Sequence, residues 1–504
     1  MVCGAKGRGH PGALALLVAL APACASGVGL GDDSAAVQTE ATSGGGSSGP
    51  KTTGTGEATS GPTSTTEVAD DTTTTGLPTT GDSDTGDDTS SGDDSTTGEE
   101  LPHPELYPFG RTHSPISMYV ADSMRAIAGN MDEDPGVFAK VGGSISSSAN
   151  FLQCFALDAT IQDLPPGDSL LATIAHFRTV DLGGTTAWNH PSMATMPGWA
   201  SNALIAGMPS PIAGEIAAIK PRFAHLLIGT HDLDGDQPAA LWTFADNLLD
   251  AVDATIAAGV VPIVSTIPHR TDKPDKDAFL PRYNAVVRAA AQGRQVPLLD
   301  LEFAISKLPM FGLAADGMDL SVFVSAEMDR PCHFNEAARQ FGYNVANLES
   351  LRALDRARQV VVEQTPSIDP PGPRLLGSGA QDDPILIPSL PFVDLRSTAD
   401  SPSDVIDSYA GACDATKDES GPERLYRLDV ADPITVRVMV FDRGAVDVDV
   451  HVLDAATPDT CIKRNDREVT GPLPAGTYYI SIDSYAGDVP DGAKGEYALV
   501  VLAE

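Results

Sequence analysis

The sequence is poor in basic residues. Its 504 residues contain 32 Lys and Arg against 69 Asp and Glu, which gives a formal net charge of −37 at pH 7. A chain this acidic repels both nucleic acid and anionic lipid, so we expect neither as a partner.

Large apolar residues are almost absent from residues 26–100, which consist mainly of Ser, Thr, Gly, Asp and Glu. Fifteen acidic residues stand there against Lys51 alone. Such a segment cannot bury enough apolar surface to offset the entropy cost of ordering, so we predict a disordered, self-repelling tether.

The first 25 residues have the pattern of an export signal. Lys6 and Arg8 precede an apolar run from Ala13 to Leu20, which is too short to cross a bilayer as a permanent helix. Cleavage after Ala23 would leave Cys24 first, and the segment resembles a bacterial lipoprotein signal, which implies lipidation of Cys24. We therefore expect an outer-membrane or cell-surface lipoprotein of a bacterium, attached to the envelope membrane, with plain secretion as the alternative.

Only six cysteines occur, and Cys3 and Cys24 belong to the signal region. The remaining four allow three pairings, and export favours disulfide formation. No pair has the spacing of zinc ligands, so a structural metal is the weaker interpretation. We favour the pairings that stay within one domain, Cys154 with Cys332 and Cys413 with Cys461.

Residues 101–355 alternate short apolar strand patterns with amphipathic helix patterns. Strands are predicted over Phe223–Ile228 and Val260–Val264, and apolar residues recur between them at helical spacing from Leu241 to Ile256. A further helix is predicted over Asp277–Gln292. This order indicates an α/β fold with a parallel sheet covered on both faces, whose ligand site lies at the carboxyl ends of the strands.

One strand pattern of this domain, Phe138–Val141, continues into Gly142, Gly143 and Ser144, and helix-compatible residues follow. The glycines allow a sharp turn that leaves the serine hydroxyl exposed above the sheet, where an α/β fold presents a nucleophile. Ser144 is therefore the candidate nucleophile. The competing hydroxyls, which do not directly follow the glycines, belong to Ser146, Ser147 and Ser148.

Four segments of this domain occur in the same order as the motif blocks of a known family. These segments are Val141–Ile145, Arg178–Trp199, Leu226–Leu233 and Asp316–Ser321. Together they resemble the motif blocks of the SGNH/GDSL hydrolases. The resemblance implies a flavodoxin-like three-layer fold and hydrolysis of an ester or acetyl group through a serine acyl-enzyme. It also implies an oxyanion hole that includes Gly198 and Gly229, and a catalytic role for Asp316.

The chain departs from the family pattern at three positions. Gly143 stands in place of an aspartate, His231 in place of the oxyanion-hole asparagine, and Asp319 in place of the catalytic histidine. The last change matters most, because an ordinary carboxylate with a pKa of about 4 is a poor base for a serine hydroxyl. Loss of one triad member typically costs about 10⁴ to 10⁶ in turnover.

Two histidines are candidates for a replacement base. His231 would lie near Ser144 if it occupies the place of the asparagine, and it would act as base or oxyanion donor with Asp316 or Asp319 orienting it. His333 is the second candidate, and an ordinary loop histidine is the alternative for both. A metal site built from His231, His333, Asp316 and Asp319 is the weakest alternative, because no pair has helical ligand spacing.

After a proline-rich linker over residues 356–390, the apolar periodicity changes to two. Alternation from Val446 to Val452 and strand patterns over Ile434–Phe441 and Tyr497–Leu502 indicate a small antiparallel β-sandwich over residues 391–504. We predict one solvated face on each of its sheets.

Three stretches of this region, Glu419–Glu423, Asp447–Val450 and Pro474–Tyr479, resemble the bacterial pre-peptidase C-terminal domain. The resemblance implies an accessory module for binding, targeting or stability. Calcium is the one cofactor considered, and a solvated acidic strand face is the alternative. The calcium candidates are Asp447, Asp449, Asp483 and Asp488.

Together these features predict an exported, monomeric serine esterase that acts on an ester-bearing small molecule or an acylated glycan, without a cofactor in its α/β domain. The first alternative, favoured by Asp319, is a catalytically inactive relative that binds a glycan or envelope component. The second is an adhesion protein whose function resides in the sandwich.

Overall fold

The computed structural model describes residues 104–129, 133–166, 169–413, 416–486 and 493–504. The predicted export signal with Cys24, the predicted tether and Asp488 lie outside these residues. All described residues belong to one compact unit. Within that unit, no helix combines the length and apolar composition needed to cross a membrane.

The amino-terminal part is built on a parallel sheet of four strands, which lie side by side in chain order. These strands are β1 (Asp134–Gly142), β2 (Pro221–Leu227), β3 (Val261–Ser265) and β4 (Leu298–Leu299). Its helices are α1 (Met118–Ala128), α2 (Ser144–Ser147), α3 (Leu170–His176), α4 (Asn202–Ile205), α5 (Pro211–Ile219), α6 (Ala239–Ala257), α7 (Pro274–Asp277), α8 (Leu280–Gly293), α9 (Leu301–Ile305) and α10 (Gly342–Val361). A small hairpin of β5 (Val324–Ser325) and β6 (Met328–Asp329) precedes α10.

The sheet is covered on both faces. Every residue of β3 is buried, and so is β1 from Gly136 onward. Helices α1 and α10 pack together in one layer, while α5 and α8 both contact α6 in the other. This burial explains the continuous apolar strand patterns, because a strand of a covered parallel sheet faces side chains on both sides. The predicted three-layer α/β fold is confirmed.

The carboxyl-terminal part is a β-sandwich, as predicted. One sheet has the order β13-β10-β15-β8, and the other has the order β12-β11-β14-β9-β7. The strands are β7 (Ile385–Leu386), β8 (Phe392–Ser397), β9 (Glu423–Val430), β10 (Ile434–Asp442), β11 (Val448–Leu453), β12 (Cys461–Asn465), β13 (Glu468–Leu473), β14 (Gly476–Ser484) and β15 (Glu496–Ala503). Valine, isoleucine and leucine side chains from both sheets form the core between them.

The prediction of a solvated face on the first sheet is wrong. Its outward side chains, among them Leu395, Phe441 and Val500, belong to the same hydrophobic cluster as the α/β core. Trp242 on α6 lies with its ring 5.1 Å from that of Phe441 and donates a hydrogen bond of 2.9 Å to the carbonyl of Val440. The alternation of side chains along these strands indicates that the two faces of the sheet have different surroundings. Only the tertiary structure shows that α6 and α8 cover the outer face.

The prediction of a solvated face on the second sheet is also wrong. Asp449, His451 and Asp483 are each at most 5% exposed. A covering segment over residues 403–413 lies across His451 and Asp483, and Asp449 pairs with Arg464. The ring of Tyr409 stacks on His451 at 3.6 Å, and its hydroxyl lies 2.5 Å from Asp483. Polar residues at alternating positions therefore form a buried polar layer here, not a wet surface.

The structure contains the two disulfides that the sequence favoured, Cys154–Cys332 and Cys413–Cys461. The region predicted as a proline-rich linker is partly regular, since α10 continues to Val361 and β7 adds a strand to the sandwich. The helical pattern of the sequence fades after Leu354 because charged residues follow. Two of them, Asp355 and Arg358, are buried and paired with each other at 3.3 Å.

Candidate active site

Parallel pairing of β1 with β2 brings two predicted motifs to the same edge of the sheet. Gly142 and Leu227 are partners at the ends of these strands. Gly142 has a φ of +149°, and a Cβ there would lie 2.0 Å from the Leu227 carbonyl oxygen, so the close approach requires glycine. Ser144 then begins α2, where its amide has no intrahelical acceptor.

Three of the predicted site residues line one small cleft above this edge. They are Ser144, Gly229 and His231, and Trp199 and Thr230 also line the cleft. Gly229 is required by packing, because a Cβ there would lie 2.3 Å from Ile267 Cδ1 at a φ of +127°. Gly198 does not line the cleft, but it precedes Trp199 and has a φ of +84° that favours glycine.

The hydroxyl of Ser144 has no hydrogen-bond partner among the described residues, and the side chain is half-buried. Its competitors are engaged elsewhere. The Ser146 hydroxyl is buried against the Val141 carbonyl, and the Ser147 hydroxyl donates to the Ser144 carbonyl at 3.0 Å. Ser148 accepts a hydrogen bond from the Asn150 amide. Ser144 is therefore the serine of this segment that faces the cleft.

His231 has a carboxylate partner that the sequence interpretation missed. Its Nδ1 lies 3.4 Å from Oδ2 of Asp234, three residues along the same turn. Asp234 is fixed in turn, since Lys273 Nζ lies 2.8 Å and Arg270 Nη2 3.3 Å from its Oδ1. Burial alone raises the pKa of Asp234, but these two cations hold it below its usual range. A charged Asp234 favours the proton on Nδ1, which leaves Nε2 free to accept one.

Asp232, the acidic residue of the same motif, is a positioning residue. Its carboxylate accepts from the Ser201 amide at 2.9 Å and from the Ser201 hydroxyl at 2.5 Å. Tyr283 donates to its carbonyl at 3.1 Å. These bonds hold the turn that carries His231 against the segment that carries Trp199, so both walls of the cleft are set by one buried side chain.

Asp316 and Asp319 do not line the cleft, and the structure gives neither a histidine partner. Asp316 is exposed, and its Oδ1 accepts from the amides of Met318 and Asp319 at 3.0 Å each, so its carboxylate caps its own turn. Both carboxylates lie close enough to Tyr343 to raise the pKa of its phenol, which reaches about 12 chiefly because the ring is buried. Among the described residues, Asp234 is instead the carboxylate beside His231, because the local turn brings it to the imidazole.

Hydrogen bonds of Ser321 join the two ends of the loop formed by residues 322–341. The Ser321 hydroxyl accepts from the Gly342 amide at 3.0 Å, and the Ser321 carbonyl accepts from the Tyr343 amide at 2.8 Å. The loop carries Cys332 and His333, and His333 does not line the cleft. Its backbone bridges Gln162, its Nε2 is buried without a partner among the described residues, and burial together with Arg330 lowers its pKa.

His269, for which the sequence offered no partner, follows β3 on the same edge of the sheet. Its ring lies between Asp277, 2.9 Å from Nδ1, and Glu302, 3.4 Å from Nε2. Hydrogen bonds to these carboxylates raise the pKa of His269 to about 9. Since Glu302 comes from the next crossover, no local pattern could have revealed the pair.

Among the described residues, no group of three His, Cys, Asp or Glu side chains is arranged to hold a metal ion. The alternative of a metal held by His231, His333, Asp316 and Asp319 is therefore not assembled. Of the calcium candidates, Asp449 pairs with Arg464 and Asp483 with Tyr409, while Asp488 lies outside the described part of the chain.

The fold and the cleft define a three-layer α/β protein that presents a serine at a strand-to-helix turn, beside a histidine with its own carboxylate. Residues 166–341 match the model of the GDSL-like Lipase/Acylhydrolase family, which agrees with the predicted resemblance over that part of the chain. The matched segment contains His231 and Asp316 but begins after Ser144.

Solved structures with a similar fold include an acetylxylan esterase of Geobacillus stearothermophilus, 17% identical over 44% of this chain and 94% of that one, with a TM-score of 0.28. A lipase/acylhydrolase of Enterococcus faecalis is 20% identical over 32% of this chain and 73% of that one, with a TM-score of 0.25. The pre-peptidase C-terminal domain of a Bacillus anthracis collagenase is 14% identical over 23% of this chain and 91% of that one, with a TM-score of 0.16. No curated protein matches the chain.

Proposed function

We propose that this protein hydrolyses a short acyl ester through Ser144, with His231 as the base and Asp234 as its orienting carboxylate. The observation that carries the proposal is that Ser144 and His231 line the same cleft while His231 Nδ1 lies 3.4 Å from Asp234. A free Nε2 can then take the proton of the serine hydroxyl, which is the role of the family's catalytic histidine that Asp319 replaces in this chain.

In the proposed reaction, Ser144 Oγ attacks the ester carbonyl carbon as its proton moves to His231 Nε2. The tetrahedral intermediate expels the alcohol, which takes the proton from His231, and an acyl-serine remains. Water then attacks the acyl carbon with His231 again as base, and the carboxylic acid leaves as Ser144 recovers its proton. The unpaired amide of Ser144 supports oxyanion stabilisation, with Gly229 as the proposed neighbouring donor.

The test compares hydrolysis of p-nitrophenyl acetate and fluorophosphonate labelling in the parent protein, Ser144→Ala and Ser147→Ala. Ser147 is the matched control, because it lies in the same helix and its hydroxyl donates to a backbone carbonyl. We expect activity and labelling in the parent and in Ser147→Ala, and neither in Ser144→Ala. Activity that survives in Ser144→Ala would show that Ser144 is not the nucleophile.

The second candidate function is binding of an acylated glycan without turnover. It is favoured by Asp319, which stands where the family has its histidine, and by Asp316, whose carboxylate caps its own turn. A parent protein that is inert in both assays, together with activity in Asp319→His, would support this function over the first.

We also propose that the protein acts outside the cytoplasm, attached to the envelope through Cys24. Two disulfides support this location, because such bonds persist in oxidising compartments. Metabolic labelling with a palmitate analogue should mark the parent protein and leave Cys24→Ser unmarked, whereas equal labelling of both would exclude the anchor.

A further inference from the structure

A second cavity, separate from the serine cleft, lies where α8 meets the sandwich. Its volume is about 300 Å³, at the small end of the range for small-molecule sites. Its walls are mainly apolar and include Phe109, Leu280, Phe303 and Leu502. Because Leu502 comes from β15, the sandwich forms part of the cavity wall.

The cavity wall includes the guanidinium of Arg288, a residue that is 6% exposed. Its Nη2 contacts Asp300, and its guanidinium lies 4.4 Å from the ring centre of Phe109. Its Nη1 is buried and has no hydrogen-bond partner among the residues that the structure describes. A buried charged donor without an acceptor is costly, so the site favours a ligand that supplies one.

The charges around the cavity restrict which acceptor fits. Arg288 is already paired with Asp300, and His269 lies between Asp277 and Glu302. Within the cavity wall these two cations are matched by two carboxylates, Asp300 and Glu302, so an anionic ligand would add a charge without a counterion. A neutral carbonyl oxygen satisfies Nη1 without adding charge.

We propose that this cavity binds an uncharged aliphatic molecule with one carbonyl oxygen, which accepts a hydrogen bond from Nη1 of Arg288. At roughly 30 Å³ for each water-sized atom, the cavity holds about ten non-hydrogen atoms. Ketones and esters of this size meet the requirement. The proposal does not depend on catalysis by Ser144.

Isothermal titration calorimetry with 2-nonanone tests the site in the full chain carrying Ser144→Ala, beside octanoate, which has the same number of non-hydrogen atoms. We expect 2-nonanone to bind at least tenfold more tightly than octanoate. Arg288→Met should weaken binding about tenfold or more, the range for a lost hydrogen bond to a charged group. Arg282→Met is the matched control, since Arg282 lies on the same helix outside the cavity and pairs with Glu504.

Ala285→Phe provides an independent variant, because it fills the cavity from α8 without removing a charge. It should abolish 2-nonanone binding. The proposal is overturned if 2-nonanone does not bind, if octanoate binds more tightly, or if either Ala285→Phe or Arg288→Met binds 2-nonanone like the control. Should Arg288→Met not fold, the ligand comparison and Ala285→Phe still decide. Failure of ester hydrolysis in the parent protein leaves these outcomes unaffected.

Discussion

Replacing Phe441 by alanine should destabilise the α/β domain as well as the sandwich that contains the residue. Phe441 is 1% exposed, and its ring lies 5.1 Å from that of Trp242 on α6. Truncating a buried phenylalanine typically costs about 3–5 kcal/mol, which includes the lost ring contact and the remaining cavity. The cost falls on both parts, because Phe441 belongs to the cluster that contains the core of the parallel sheet.

Guanidinium unfolding followed by tryptophan fluorescence and far-ultraviolet circular dichroism measures this coupling. The chain has three tryptophans, Trp188, Trp199 and Trp242, and all lie in the α/β domain. With a loss of about 4 kcal/mol and a guanidinium slope of about 4 kcal/mol/M, the fluorescence midpoint should fall by roughly 1 M. Both signals should still change together.

Ile462→Ala is the control for this experiment, because Ile462 lies on the edge strand β12 and is 37% exposed. It should shift neither midpoint by more than a small amount. An unchanged fluorescence midpoint in Phe441→Ala, with an earlier dichroism transition, would show that the sandwich folds independently and would refute the shared core.

Four further predictions concern the site and the framework. Asp234→Asn should lower kcat for p-nitrophenyl acetate by about 10²–10⁴, as expected when a base loses its orienting carboxylate; an unchanged kcat and pH profile would remove Asp234 from the mechanism. Gly229→Ala should lower stability by about 2–4 kcal/mol in thermal unfolding, because its Cβ would meet Ile267 at 2.3 Å, and a stability equal to the parent's would contradict that packing. Cys154→Ser, which breaks the bond to Cys332, should cost about 2–4 kcal/mol in urea unfolding without reducing agent, and no cost would show that the bond does not form. Burial lowers the pKa of His451 to about 3 in the native state. Below about pH 6.5 the unfolded chain therefore binds a proton that the native state does not, and the free energy of unfolding should fall by up to about 1.4 kcal/mol per pH unit as the pH decreases from about 6.5 to about 3. His451→Phe should reduce this slope in urea titrations.

The elements of the α/β domain were predictable because their signals are local. Apolar residues at helical spacing from Leu241 to Ile256 gave α6, and Val260–Val264 gave β3 almost to the residue. The turn at Gly142–Ser144 was also predictable, since glycine and serine determine its geometry within a few residues. Placing Ser144 and His231 in one cleft required only that parallel strands end at a common edge.

The partners of buried polar groups were not predictable in the same way. Asp449 and His451 alternate with valines and so indicated a solvated face, yet His451 is buried under Tyr409 and Asp449 is buried beside Arg464. Asp319 aligned with the family histidine, but alignment gave no information about where its carboxylate lies. Burial depends on what packs against a face, and that surface comes from distant parts of the chain.

The sequence by itself determined the fold class, the order of the motifs and the serine at the end of β1. Only the tertiary structure decided that Asp234, not Asp316 or Asp319, faces His231, and that the sandwich shares a core with the α/β domain. Periodicity and turn chemistry act through neighbouring residues, whereas pairing of charges and the closing of cavities depend on contacts between residues far apart in the chain.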